Sequence, residues 1–210
     1  MKTSYETKTS QTLNTRSLIV VVLAVGAVTG GNLWLHREDL PLGYVEYSDF
    51  GFSFFHPQLL PTYSWGYPSA SDANDFGGIV QAKGLWEGVW RNFMVIWSTE
   101  ATTPDLVAEL DDFYALMDSW DCVIDNKGEL PSSGKDGHEM LLQTYTFIED
   151  GDLEYIAATG IWCEPWPSLR ANRVYTLTYI AYPHLTTREQ ILEKLRQYID
   201  TFKGNTAQTG

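Results

Sequence analysis

The chain has 210 residues, with 27 acids against 14 Lys and Arg and a formal net charge of −13. Phosphate backbones are held by clustered Lys and Arg, so this balance excludes nucleic acid as a partner and supplies no cationic face for anionic lipid. Setting aside an apolar N-terminal stretch, about 165 residues remain, enough for one domain with a sizeable core; 8 Trp, 12 Tyr and 9 Phe make that core aromatic.

Residues 1–16 are polar and Thr-rich, with Lys2, Lys8 and Arg16 against the single acid Glu6, and read as a disordered tail. Ser17 to Leu35 carries no charge and is densest in apolar side chains from Leu18 to Val28. As a helix it spans roughly 28 Å, close to the hydrocarbon thickness of a bilayer. Basic residues precede it and Glu38 and Asp39 follow, so the positive-inside rule puts the N-terminus in the cytoplasm and the domain outside. Two readings stay open. An uncleaved transmembrane anchor would set Trp34 at interfacial depth, whereas a signal peptide would be cut near Val25-Gly-Ala27 and release a secreted domain.

The domain is expected over residues 40–204, with a disordered tail at 205–210. Gly43–Ser48 and Phe50–His56 read as short strands joined at Ser48-Asp49 and stopped by Pro57; Pro61 to Asp75 reads as a loop from its Pro, Ser, Gly and Asn content. Gly78–Trp86 and Val89–Trp97 form a hairpin about Glu87-Gly88. In the second strand Phe93, Val95 and Trp97 alternate with Met94 and Ile96, so both faces are apolar and both need cover.

A first helix is predicted with Thr103 as cap, Pro104 in the first turn, and Leu106, Leu110, Phe113, Met117 and Trp120 on one stripe. Three strands follow, Cys122–Glu129, His138–Ile148 and Leu153–Cys163, separated by turns at Pro131–Gly137 and Glu149–Asp152, the latter with an Asp-Gly hairpin signal. Arg173–Tyr182 is a core strand with Tyr175, Leu177 and Tyr179 on one side and Val174, Thr176, Thr178 and Ile180 on the other. Thr186 and Glu189 then form a capping box for a helix in which Ile191, Leu192, Leu195, Tyr198, Ile199 and Phe202 recur at helical spacing, with Gly204 as a left-handed stop. Runs of neighbouring strands favour antiparallel pairing, so the class is α+β, with helices packed on a central antiparallel sheet.

Chemistry-bearing motifs are few. Cys122 and Cys163 are the only cysteines, and in an exported domain a pair reads most simply as a disulfide closing a loop of about forty residues, worth roughly 3 to 4 kcal/mol, against the alternative of two independent buried thiols. His138 and Glu139, with Asp136 beside them and Asp150 and Asp152 across the hairpin, are candidate ligands for a divalent cation, against the alternative of solvated turn charges. Trp162-Cys-Glu-Pro-Trp-Pro167 is a rigid aromatic loop in which Trp162 and Trp166 are candidate partner contacts, against the alternative of a loop folded over the core. No Gly-x-Ser-x-Gly, Walker loop or His-Glu-x-x-His occurs, no feature calls for a cofactor, and His56, His138 and His184 have no identified nucleophile.

Tyr47-Ser-Asp-Phe-Gly-Phe-Ser-Phe-Phe-His-Pro57, the order of elements, and the Tyr175-Thr-Leu-Thr-Tyr179 strand leading to a helix ending Ile199-Asp-Thr-Phe-Lys203 resemble the PsbP-like family of the Mog1/PsbP superfamily. The resemblance includes archaeal and bacterial PsbP-related proteins with an N-terminal membrane segment, and runs from about Tyr44 to Lys203. It implies an α/β/α sandwich used for binding or assembly. The expectation is a non-enzymatic, extracytoplasmic accessory module working beside another membrane or envelope protein. The alternative is a small-ligand or lipid carrier with a cavity between sheet and helix, and a hydrolase with an unrecognised site is a third reading. A deep apolar pocket would mark the carrier, an exposed aromatic patch the assembly module, and a cleft with a perturbed His or carboxylate the enzyme.

Overall fold

The computed structural model describes residues 43–66, 73–86, 89–128, 132–149, 151, 153–166 and 170–204. The chain divides into residues 1–41 and a unit from Leu42 to Gly210, so the stretch 17–35 expected to meet the membrane and the tail 205–210 lie outside the described residues. Among the described residues no helix is long and apolar enough to cross a membrane.

Among the described residues, ten strands and two α-helices follow in chain order: β1 Tyr44–Asp49, β2 Phe52–Pro57, β3 Thr62–Trp65, β4 Gly77–Trp86, β5 Val89–Glu100, α1 Leu106–Asp118, β6 Cys122–Asp125, β7 Ser132–Lys135, β8 His138–Glu149, β9 Leu153–Trp166, β10 Ala171–Ala181 and α2 Arg188–Thr201. β1 and β2 pair as a separate ribbon, and the rest form one antiparallel sheet in the order β3-β4-β5-β10-β9-β8-β6, with β7 also paired to β8.

The alternation along β5 and β10 dictates the layering. Phe93, Val95 and Trp97 of β5 and Tyr175, Leu177 and Tyr179 of β10 share one face with Ile191, Leu195 and Ile199 of α2 and with Phe52 and Phe54 of β2. Met94, Ile96, Val174 and Ile180 share the other face with Leu110, Phe113 and Met117 of α1. Each buried aliphatic or aromatic side chain removes apolar surface worth roughly 2 kcal/mol from water, and both sides of the two central strands are paid in that currency. The α+β expectation therefore holds as an antiparallel sheet with two helices; the sheet dominates, and one face shares its cover between α2 and the β1–β2 ribbon. That ribbon is tied to the end of α2 by the reciprocal bonds Ser53 N–H to Lys203 O at 2.9 Å and Lys203 N–H to Ser53 O at 2.8 Å.

Several local expectations need correction. The β1–β2 turn is Phe50-Gly51, with φ of 49° and 78°, as in a type I′ hairpin, and not Ser48-Asp49. A Phe in the left-handed region is held there by the Asp49 carboxylate, which accepts its N–H at 2.8 Å, and by stacking on Trp97. β3 forms inside the expected Pro61–Asp75 loop, and β7 inside the expected Pro131–Gly137 turn, where Asp136-Gly137 alone makes the reversal at φ 51° and 87°.

The helix caps also move. Asp105 caps α1, its carboxylate accepting from Val107 N–H at 2.9 Å, so the helix begins at Leu106, two residues later than expected, and Thr103 and Pro104 lie ahead of it. The helix stops at Asp118, short of Trp120. For α2 the reciprocal capping box is Thr187 with Gln190, one position later than expected. Its cap at Phe202 is extended, so Gly204 is no left-handed stop; a Cβ there would lie 2.1 Å from the Glu164 carboxylate.

Candidate functional site

The ladder between β5 and β10 runs from Arg91↔Ala181 at one end to Asn172↔Glu100 at the other. At the second end, strand alternation points Arg173 to the same side as Tyr175 and Leu177, into the core, where it has no exposed surface. A buried guanidinium needs acceptors for its donors. Nη1 donates to Phe50 O at the ribbon tip, Nη2 donates to Asp75 O in the β3–β4 connection, and the Trp166 ring lies over the cation with its centroid 3.3 Å away. Among the described residues Nε has no hydrogen-bond partner. Burial pushes the guanidinium pKa down, opposed by Tyr175 and Asp75.

Arg173 thus joins three segments distant in sequence, and one of them presents an aromatic side chain to solvent. In the turn Asn74–Gly77 the Asn74 side-chain oxygen accepts from Phe76 N–H at 2.8 Å and Gly77 N–H at 3.2 Å. Trp97 Nε1 donates to Asn74 O at 3.0 Å, and Thr99 Oγ1 donates to Asp75 O at 3.3 Å alongside Arg173. Two successive carbonyls of the turn are therefore fastened by side chains of β5 and β10, and Phe76 stands on that turn 66% exposed. Exposed carboxylates of Asp49 and Asp75 lie at the same end.

Trp166 and Trp162 have different fates. Trp162 is fully buried in the core and donates Nε1–H to Glu164 at 2.7 Å, which removes it as a partner contact: its alternation on β9 faces α2. Trp166 is half-buried, covering Arg173 and Gly51, where a Cβ would meet its ring at 2.2 Å.

The expected disulfide does not form. β8 separates β6 from β9, and Cys122 is level with Glu149 and hence Leu153, whereas Cys163 lies ten positions further along β9, roughly 33 Å away at the usual rise. Burial, then the carboxylates of Glu109, Glu164 and Glu100, raise the Cys163 thiol to about 11, leaving it a poor nucleophile at neutral pH.

Of the cation-site residues, the structure describes Asp136, His138 and Glu139. His138 and Glu139 begin β8, while Glu149, the last residue before Asp150, ends it, roughly 36 Å away along the strand. Asp150 and Asp152 themselves lie outside the described residues. Asp136 pairs instead with the buried Lys135. Among the described residues no group of three His, Cys, Asp or Glu is placed to share a metal ion. His56, His138 and His184 lie in β2, β8 and a 3-10 turn at Pro183–Leu185; His56 is buried against its own backbone, with a pKa lowered first by burial.

Cavities adjoin both helices. Between α1 and the sheet, Glu109, Phe113, Ser98 and Thr176 enclose about 20 Å³, the room of a single water. Between α2 and the other end of β5 and β10 runs an open, polar groove of about 370 Å³.

Phe76, Asn74 and Asp75 carry no expectation in the sequence beyond a polar loop. The available signal was Asn74 two residues before an aromatic and three before a glycine, the spacing of an Asx turn.

No protein-family model matches the chain, and a comparison with curated proteins gives no match. Among solved structures, cyanobacterial PsbP (CyanoP) from Synechocystis sp. PCC 6803 aligns over 80% of this chain and 96% of its own at 13% identity, with a TM-score of 0.53. LpqN of Mycobacterium tuberculosis, described as involved in cell envelope biogenesis, aligns over 76% of this chain and 88% of its own at 14% identity, with a TM-score of 0.45. At such identities the likeness to CyanoP speaks for architecture alone: the domain has a PsbP-like fold.

Proposed function

We propose that this domain is a non-catalytic accessory module that docks on a partner protein through the pole formed by Phe76, Trp166 and the Arg173 clamp. The observation that carries this reading is Phe76, 66% exposed on a turn whose carbonyls are held by Trp97, Thr99 and Arg173. Binding costs least when an anchor is already rigid, and aromatic anchors dominate interface energetics. The carboxylates of Asp49 and Asp75 suit a partner whose receiving pocket is rimmed by Lys or Arg. The lipid-carrier alternative has about 20 Å³ between sheet and α1, and the larger groove of about 370 Å³ beside α2 is open and polar, which does not suit a lipid.

The fold likeness to CyanoP supports an accessory role by analogy. With residues 17–35 as an anchor the module would work at the outer membrane face beside a membrane or envelope protein; with cleavage near Ala27 it would be secreted. Crosslinking and pull-down of the full-length protein from its own membranes, with intact mass on the same sample, tests both parts. One reproducible protein partner, lost when Phe76→Ser replaces the anchor, supports docking at this pole. A partner retained by Phe76→Ser, or a co-purifying small molecule with no protein, refutes it. The mass separates anchor from cleaved signal.

A further inference from the structure

Exposed leucines gather at the end of the sheet away from Phe76. Direct cross-strand partners form one register row there, Gly84↔Arg91↔Ala181↔Ile156. Beyond that row lie Leu85, the penultimate residue of β4 and 69% exposed, and Leu185, in the 3-10 turn after β10 and 52% exposed. Leu59 is 73% exposed in the turn after β2, and its neighbours bring it to the same corner. A Cβ on Gly84 would lie 3.4 Å from the Leu60 side chain, and Lys83 N–H donates to Pro61 O at 3.3 Å. Single exposed leucines are ordinary on a protein surface, but three segments that each present one at the same corner form an apolar feature with a direction.

The chain enters the domain at this corner. Gln58 N–H, one residue before Leu59, donates to Gly43 O at 2.9 Å, so Gly43 lies beside that turn. Residues 36–42 separate Gly43 from Leu35, the last residue of the uncharged stretch, and fully extended they reach about 28 Å at most. Phe76 precedes Gly77, whose cross-strand partner Ser98 stands seven positions beyond Arg91 on β5, roughly 23 Å further from the point of entry. A short tether raises the effective concentration of lipid at the corner where it attaches, so contacts too weak to hold a free domain become occupied.

The chemistry of this corner suits the apolar side of a bilayer surface more than its charge. Lys83, two residues before Leu85, lies over the Tyr63 ring at 5.6 Å, and the groove behind Leu185 carries both signs, Arg91 and Lys194 with Glu193. Leucine side chains gain by leaving water for the headgroup and acyl boundary whatever the headgroup charge.

We propose, resting on the reading of residues 17–35 as an anchor, that Leu59, Leu85 and Leu185 form a lipid-contacting corner that settles into the surface of the outer leaflet independently of lipid charge. The Phe76 turn then stands at the end of β4 and β5 remote from lipid, where it meets a part of the partner that projects from the membrane.

The test is photocrosslinking of the full-length protein reconstituted in phosphatidylcholine nanodiscs, with a benzophenone amino acid at position 59, 85 or 185 in turn, and at position 76 for comparison. Intact mass reads the lipid adduct. Each of the three leucine positions is expected to give lipid adducts in at least tenfold the yield of position 76, unchanged by high salt. A yield from any of the three no higher than that of position 76, or a yield abolished by high salt, would overturn the proposal. Protein that incorporates into nanodiscs and gives no lipid adduct removes the corner and leaves the anchor. Protein that fails to incorporate removes the anchor and the corner with it.

Discussion

The Arg173 guanidinium lies 3.3 Å from the ring centroid of Trp166, and that contact closes one end of the domain. Arginine stacked on an indole while donating to two carbonyls is held more tightly than by either contact alone, because the ring shields the bonds from water. Removing it leaves Phe50 O and Asp75 O without their charged donor. Arg173→Ala is expected to cost about 3 kcal/mol, and Arg173→Lys nearly as much, since an ammonium cannot fork to two carbonyls and stack. Urea denaturation measures both; a loss under about 1 kcal/mol would remove the clamp from this account.

Gly51 and Trp166 are coupled in the same way. A Cβ at residue 51 would meet φ of 78° and the Trp166 ring at 2.2 Å. Gly51→Ala should destabilise by about 3 kcal/mol alone, but only by about 1 kcal/mol in a Trp166→Ala background, where the left-handed backbone is the remaining cost. A double-mutant cycle reports the difference, and additive effects would mean that the ring moves aside freely.

Burial, with Glu100 and then Asp112 adding like charge, raises the pKa of Glu109 above its ordinary 4.5. A raised folded pKa means the neutral acid is favoured on folding, so this contribution is fully present below about pH 4.5 and is lost as pH rises through the folded value. Glu109→Gln should therefore stabilise the protein at pH 7, by less than about 1 kcal/mol because the group is partly solvated, with the gain vanishing near pH 4. A gain that grows toward acid would contradict the sign.

The cysteines give a chemical check on the sheet order. With β8 between β6 and β9, unreduced protein unfolded in guanidinium should titrate two thiols, and its melting temperature should not move with reductant. Cys163, raised to about 11, should alkylate slowly at pH 8 in the folded state. An intact mass lacking two hydrogens would contradict the register of β6, β8 and β9.

The strands buried on both faces were the most legible part of the sequence. In β5 and β10 every position answers to a period of two, and the α2 stripe answers to a helical period, because burial is what those residues are selected by chemistry to satisfy. β3 and β7 were invisible because they are short edge strands of Thr, Ser, Gly and Tyr whose order comes from a neighbour and not from their own pattern. The Phe50-Gly51 turn lies two positions beyond the expected Ser48-Asp49 because a Phe with positive φ defies local preference and is fixed by Trp97 and Arg173, both far away in sequence. The candidate pole failed to register for the same reason: Asn74, Asp75 and Phe76 look like a polar loop until β5 and β10 place Trp97, Thr99 and Arg173 beside them. Cysteine pairing depended on strand order, which composition does not contain.

If the pinned turn carrying Phe76 is where this domain meets its partner, site-specific photocrosslinking in the producing cells will trap that contact. A benzophenone amino acid at position 76 should give one discrete protein adduct, while the same group at Val123, which is 62% exposed on the edge strand β6, should give none. An adduct from position 123 with none from position 76, or the same adducts from both, would contradict it.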